Sequence, residues 1–126
     1  MSSQVSNIKQ IAITVSDVDK ALEFYRDILG LEFLFSAGPN LAFLNAHGVR
    51  IMLSTPQGAG AVGANSILYF NVTDIESAYK EFVGQGAKEE RAPQLAANMP
   101  DHDLWTGFLR DPDDNLVGLM EEKAPA

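Results

Sequence analysis

Gln10-Ile-Ala-Ile-Thr-Val-Ser-Asp-Val-Asp-Lys-Ala-Leu-Glu-Phe-Tyr25 is echoed fifty-seven positions on by Ile67-Leu-Tyr-Phe-Asn-Val-Thr-Asp-Ile-Glu-Ser-Ala-Tyr-Lys-Glu-Phe82. Val15 matches Val72, Ser16 matches Thr73, Asp17 matches Asp74, Val18 matches Ile75, Asp19 matches Glu76 and Ala21 matches Ala78. Two copies are too few for a stacked solenoid and imply two similar halves. In each copy a period-2 run gives way to helical spacing. Ile11, Ile13 and Val15 alternate with Gln10, Ala12 and Thr14, which predicts a strand over 8–15. Val18, Ala21, Leu22, Tyr25 and Ile28 or Leu29 then fall on one helical stripe that stops at Gly30. Ser16 with Asp19, and Thr73 with Glu76, read as the helix caps.

Working outward, three short strands are expected over 31–36, 41–46 and 49–54, punctuated by Gly38-Pro39-Asn40 and by a turn at Ala46-His47-Gly48. Residues 55–65 are rich in Gly, Ala and Pro and read as a linker. The second half repeats the plan. A strand over 66–72 puts Ile67, Tyr69 and Asn71 on one face, and a helix with Ile75, Ala78, Tyr79, Phe82 and Val83 inward ends at Gly84 or Gly86. Residues 87–101 read as irregular, broken by Pro93 and Pro100. Strands over 103–110 and 116–121 flank a turn at Asp111-Pro-Asp-Asp-Asn115, before a frayed tail over 122–126. The fold class is α+β: two βαβββ modules (about 7–55 and 66–122) form curved mixed sheets in one domain of 126 residues. One helix covers one face of each sheet. The other faces are expected to meet and line a cleft.

Composition narrows the function. Seventeen acidic residues against nine basic give a net charge of −8, with no basic footprint for nucleic acid or an anionic membrane. There is no cysteine, hence no disulfide and no thiolate site or nucleophile. No apolar run reaches the ~18 residues of a membrane span. The Met-Ser-Ser-Gln-Val-Ser-Asn start lacks the pattern of a signal peptide, so a cytoplasmic protein is expected. No Gly-x-Ser-x-Gly, phosphate loop or dinucleotide fingerprint is present, and Gly58, Gly60 and Gly63 lack the following Lys-Ser/Thr.

Residues 11–31, Ile-Ala-Ile-Thr-Val-Ser-Asp-Val-Asp-Lys-Ala-Leu-Glu-Phe-Tyr-Arg-Asp-Ile-Leu-Gly-Leu, resemble the opening of a vicinal oxygen chelate protein. Phe108-Leu-Arg-Asp-Pro-Asp-Asp-Asn-Leu-Val117 resembles the closing hairpin of that superfamily, whose members include glyoxalase I, bleomycin-resistance proteins, extradiol dioxygenases and methylmalonyl-CoA epimerase. The resemblance spans about residues 7–122 and implies paired βαβββ modules. It also implies, for metal-dependent members, one ligand on the first and one on the last strand of each half. Those positions fall here on Gln10, Met52, Ile67 and Gly118. Isoleucine, methionine and glycine supply no hard oxygen or nitrogen donor for Zn²⁺, Mg²⁺ or Fe²⁺, so no metal and no cofactor are expected.

What replaces the ligands suggests an apolar pocket. Gln10, Met52, Ile67, Tyr69, Trp105 and Gly118 are the candidate ligand-binding residues, with Phe43 a further possible wall. Asp101-His102-Asp103 makes His102 the catalytic candidate, although neighbours in an extended segment point opposite ways. His47 reads as part of a turn. The expectation is a small-molecule-binding homodimer of the bleomycin-resistance type. It would be metal-free and would sequester a hydrophobic or cationic aromatic compound between subunits. The alternative is a glyoxalase-like lyase, isomerase or dioxygenase-related enzyme, using displaced metal ligands or His102 as acid or base.

Overall fold

Alternation and helical spacing occur twice in the sequence, and each occurrence builds one unit of the fold. The computed structural model describes residues 4–57 and 60–126. Residues 1–3, part of the N-terminal stretch read for a leader, and residues 58–59, within the expected linker and including Gly58, lie outside them. The chain divides into two units, Met1–Val62 and Gly63–Ala126.

In the first unit, β1 (Gln10–Thr14) leads into α1 (Val18–Leu22), which continues in wider π-type turns over Glu23–Ile28. β2 (Glu32–Ser36), β3 (Leu41–Ala46) and β4 (Val49–Ser54) complete a four-stranded mixed sheet in the order β1-β4-β3-β2. β1 and β4 pair in parallel, and the remaining neighbours are antiparallel. Ile13, Ala42, Leu44, Ile51 and Leu53 are buried on one sheet face. Val18, Ala21, Leu22, Phe24 and Tyr25 are the buried side chains of the helical segment that covers it. Each such Leu or Ile contributes about 1.5–3 kcal/mol by leaving water. His47 and Gly48 both take positive φ (49° and 100°), the backbone of a two-residue hairpin turn between β3 and β4.

The second unit repeats this order with β5 (Leu68–Asn71), α2 (Ile75–Gly84), β6 (Lys88–Asn98), β7 (Asp103–Arg110) and β8 (Leu116–Lys123). Its sheet runs β5-β8-β7-β6, with β5 and β8 parallel. Ile75 and Tyr79 of α2 are buried, as are Leu109, Val117 and Leu119 on the face it covers. The protein is therefore α+β, built of two βαβββ modules with four-stranded mixed sheets. Among the described residues, no helix is long and apolar enough to cross a membrane.

Several boundaries differ from the sequence reading. The first strands of both units are shorter, so Ile67 lies just before β5. Both helix caps sit one residue later than expected. Asp17 accepts from Lys20 N and Asp74 from Ser77 N, the short carboxylate serving the orphan amides in place of Ser16 and Thr73. The stretch read as irregular is an eleven-residue edge strand, β6. An edge tolerates Pro93, and register shifts absorb its missing donor. The tail read as frayed is ordered as strand to Lys123, because β8 continues pairing with Asp103 and Leu104.

Candidate functional site

Strand alternation assigns each unit a helix-free face, and cross-strand register sorts its side chains into rows. In the first unit the register aligns Gln10, Arg50, Asn45 and Glu32 across the four strands, then Ala12, Met52, Phe43 and Phe35. The first row is polar and bonded: Arg50 Nε donates to Gln10 Oε1 at 2.6 Å, and Asn45 Nδ2 donates to Glu32 Oε1 at 2.9 Å. The second row is apolar. The Phe35 and Phe43 rings lie 4.7 Å apart at 31°. Gln10 Nε2 reaches Met52 Sδ at 3.8 Å, so the first pair of expected site residues is brought together.

In the second unit the row across the strands is Tyr69, Gly118, Phe108 and Arg91. The Tyr69 ring lies on Gly118: a Cβ placed there would stand 2.7 Å from Tyr69 Cδ2. The absence of a side chain at 118 is what lets the ring lie down. Tyr69 also meets Phe108 edge-to-face at 5.6 Å and 77°, and the Arg91 guanidinium stands 4.9 Å from the centre of the Phe108 ring. Arg91 Nη2 is anchored by the Thr106 carbonyl at 3.1 Å. Tyr69 remains 50% exposed and Ile67 is also exposed, so this is an open aromatic surface.

Trp105 does not join it. It pairs in register with Glu121 and shares the strand face of the buried Leu109, which is the helix side of the sheet. There it stacks under Lys123, whose Nζ is 4.3 Å from the ring and is bonded to Glu76. As a wall beside Tyr69 and Gly118 it is replaced by Phe108, three residues on and on the opposite face. His102 also differs from its expectation. Its ring is only 19% exposed, with Nδ1 2.7 Å from Asp101 and Nε2 3.7 Å from Glu122, because the chain bends before β7 and lets neighbouring side chains converge.

The four positions at which the resemblance places metal ligands do not fit a hard or borderline divalent ion. Gln10 Oε1 is occupied by the Arg50 guanidinium, Met52 offers a soft thioether, and Ile67 and Gly118 offer nothing. The Tyr69 ring fills the space a longer side chain at 118 would enter. Among the described residues, Asp74, Glu76 and Glu121 do bring carboxylate oxygens within 4.8 Å of one another. Each has structural work. Asp74 caps α2, Glu121 accepts from Ile75 N at 2.9 Å, and Glu76 holds Lys123 at 2.7 Å, raising the lysine pKa chiefly through that bond. An open hollow of about 410 Å³ lies alongside, lined by Asn71, Val72, Thr73, Met120, Glu121 and Glu122.

The sequence reading missed Arg50, Phe108 and Arg91. Arg50 and Met52 are two apart in one strand and necessarily share a face, so that signal was present. Arg91 had none, because its strand was not recognised.

The model of the Glyoxalase/Bleomycin resistance protein/Dioxygenase superfamily matches residues 7–119. The uncharacterized protein YraH of Bacillus subtilis (strain 168) is 30% identical over 128 residues, covering 89% of this chain and 95% of its own. Among solved structures, lactoylglutathione lyase from Agrobacterium tumefaciens superposes with a TM-score of 0.78 at 25% identity, covering 93% of this chain and 94% of that one. TnmS3, an antibiotic binding protein from Streptomyces sp. CB03234, superposes at 0.76 with 19% identity, over 97% of this chain and all (100%) of that one. At that identity the second likeness concerns the fold alone.

Proposed function

The chain belongs to the glyoxalase/bleomycin resistance protein/dioxygenase superfamily, and from that premise we propose that it binds a hydrophobic or aromatic small molecule against its helix-free sheet faces, without the metal chemistry of the family. One observation carries the reading. The half-exposed Tyr69 ring lies on Gly118 and against Phe108, at the position where the resemblance would put a metal ligand. An exposed aromatic surface of this kind gains roughly 25 cal/mol for each Å² of apolar area a ligand covers. The fold is compatible with such a role, since TnmS3 is described as an antibiotic binding protein.

The expected cationic character of the ligand rested on the net charge of −8 alone. Locally, both faces present an arginine beside their aromatic rings, which favours a neutral or anionic ligand. A cytoplasmic homodimer remains part of this proposal, and sedimentation of the purified chain tests the dimer.

The test of binding is an NMR titration with neutral two- and three-ring aromatics, following the Met52 methyl and the Tyr69 ring. Saturable shifts at either residue are expected. Silence at both across the whole panel would sink the reading. The second reading, an acid–base enzyme, is favoured by one contact set, His102 between Asp101 and Glu122. It requires turnover that His102→Ala abolishes.

A further inference from the structure

The protein has four arginines in a chain with seventeen carboxylates. Two of them are paired as this excess predicts: Arg26 with Asp27 at 2.8 Å and Arg110 with Glu90 at 2.9 Å. Among the described residues, no carboxylate forms an ion pair with Arg50 or Arg91. These two are the arginines that stand over aromatic rings of the helix-free faces; Arg110, two residues from Phe108 and on the same face, is taken up by Glu90. They come from different strands, Arg50 from β4 and Arg91 from β6, but the rings beneath them correspond. Phe43 is the register partner of Met52, and Phe108 of Gly118, so the two phenylalanines hold equivalent sites in the two sheets. A guanidinium stands over each, at 5.3 Å in the first unit and 4.9 Å in the second.

Arg50 is the better defined receptor. It is half-buried, its Nε is held by Gln10, and its guanidinium carbon stands over the Phe43 ring. A guanidinium has five N–H donors in a planar fork, and the two terminal nitrogens of Arg50 make no hydrogen bond among the described residues. The carboxylate in its cross-strand row, Glu32, sits two strands away and accepts from Asn45. One row further on lie Ala12, Met52, Phe43 and Phe35, all apolar. We propose that this face binds an aromatic carboxylate. The acid group would take both terminal nitrogens of Arg50, and the ring system would lie along Met52, Phe43 and Phe35. A planar fork beside an apolar row matches that ligand class in both charge and shape. The assignment rests on the proposed function and adds the sign of the ligand's charge.

The test compares 2-naphthoate, 2-naphthamide and 2-naphthylmethylamine binding to the full chain by calorimetry at neutral pH. The acid should bind at least about tenfold more tightly than the amide, and the amine most weakly. With circular dichroism reporting that the variant is folded, Arg50→Gln should weaken the acid at least about tenfold and the amide much less, so that the acid's advantage disappears. Arg50→Lys should restore part of it. An acid no tighter than the amide on the unaltered protein overturns the assignment, even if the glutamine variant fails to fold. Equal weakening of acid and amide by Arg50→Gln also overturns it. If the amide binds and the acid has no advantage, the charge assignment falls and the hydrophobic reading stands. If none of the three binds, both fall.

Discussion

Gly118→Ala is the substitution whose outcome the geometry determines most closely. The new methyl would stand 2.7 Å from Tyr69 Cδ2 and 3.0 Å from Cγ and Cε2, against an ordinary carbon–carbon contact of about 3.5–4.0 Å. The ring must withdraw by about 1 Å. Tyr69 has solvent on one side and can do so, but it then leaves Phe108, an edge-to-face pair contributing about 0.5–1.5 kcal/mol. Residual crowding adds about 1 kcal/mol, the low end for overpacking at a site that can yield. Against this, alanine is better than glycine inside a strand by roughly 0.5–1 kcal/mol. The net expectation is a loss of about 0.5–2 kcal/mol. In a Tyr69→Ala background the methyl enters empty space, so the same change should be neutral or stabilising. Urea unfolding of the four proteins gives the coupling between the sites, expected at about 1.5–2.5 kcal/mol because the alanine gain is common to both backgrounds. A coupling below about 0.5 kcal/mol would refute the idea that the glycine exists to seat the ring.

Asp111 is 2% exposed and accepts from Asp113 N, Asn115 N and Asn115 Nδ2, all within 2.8–2.9 Å. Asp111→Ala strands these donors and should cost about 3 kcal/mol by thermal or urea unfolding, whereas a loss under about 1 kcal/mol would contradict its role in holding the β7–β8 turn. Burial, followed by the Glu89 carboxylate 3.2 Å away, pushes the Tyr79 phenol from 10.0 up to about 12. The folded value is the higher one, so the associated stability is intact below pH 10 and is lost as pH rises through 12. Tyrosinate absorbance should show a late-ionising phenol that Tyr79→Phe removes; an unchanged curve would contradict this. His102→Ala should leave binding of the neutral aromatics within about twofold, and a tenfold loss would move His102 into the ligand site.

The parts of the fold that were legible in the sequence are those where a local pattern and its tertiary partner agree. β3 and β4 alternate cleanly, and the His47-Gly48 turn between them admits two positive φ values, so both boundaries were read correctly. β6 was not legible. Its run Lys88-Glu-Glu-Arg-Ala-Pro-Gln-Leu is polar and contains a proline, and only its place at the sheet edge makes it a strand. The candidate site shows the same division. Gln10 with Met52, and Tyr69 with Gly118, meet as strand parity implies. Trp105 lies on the other face from Tyr69 and Gly118, because it shares the parity of Leu109, four residues on and fully buried. The Arg91–Phe108 stack depends on pairing across register shifts in β6, which no single-strand pattern encodes.

Native mass spectrometry of the purified chain tests most directly the claim that this scaffold binds organic molecules without the metal of its family. The account predicts chain mass without a stoichiometric divalent ion, and a discrete adduct on addition of 2-naphthamide. A single Zn, Ni, Mn or Fe increment per chain that survives dialysis and disappears in Gln10→Ala would contradict it.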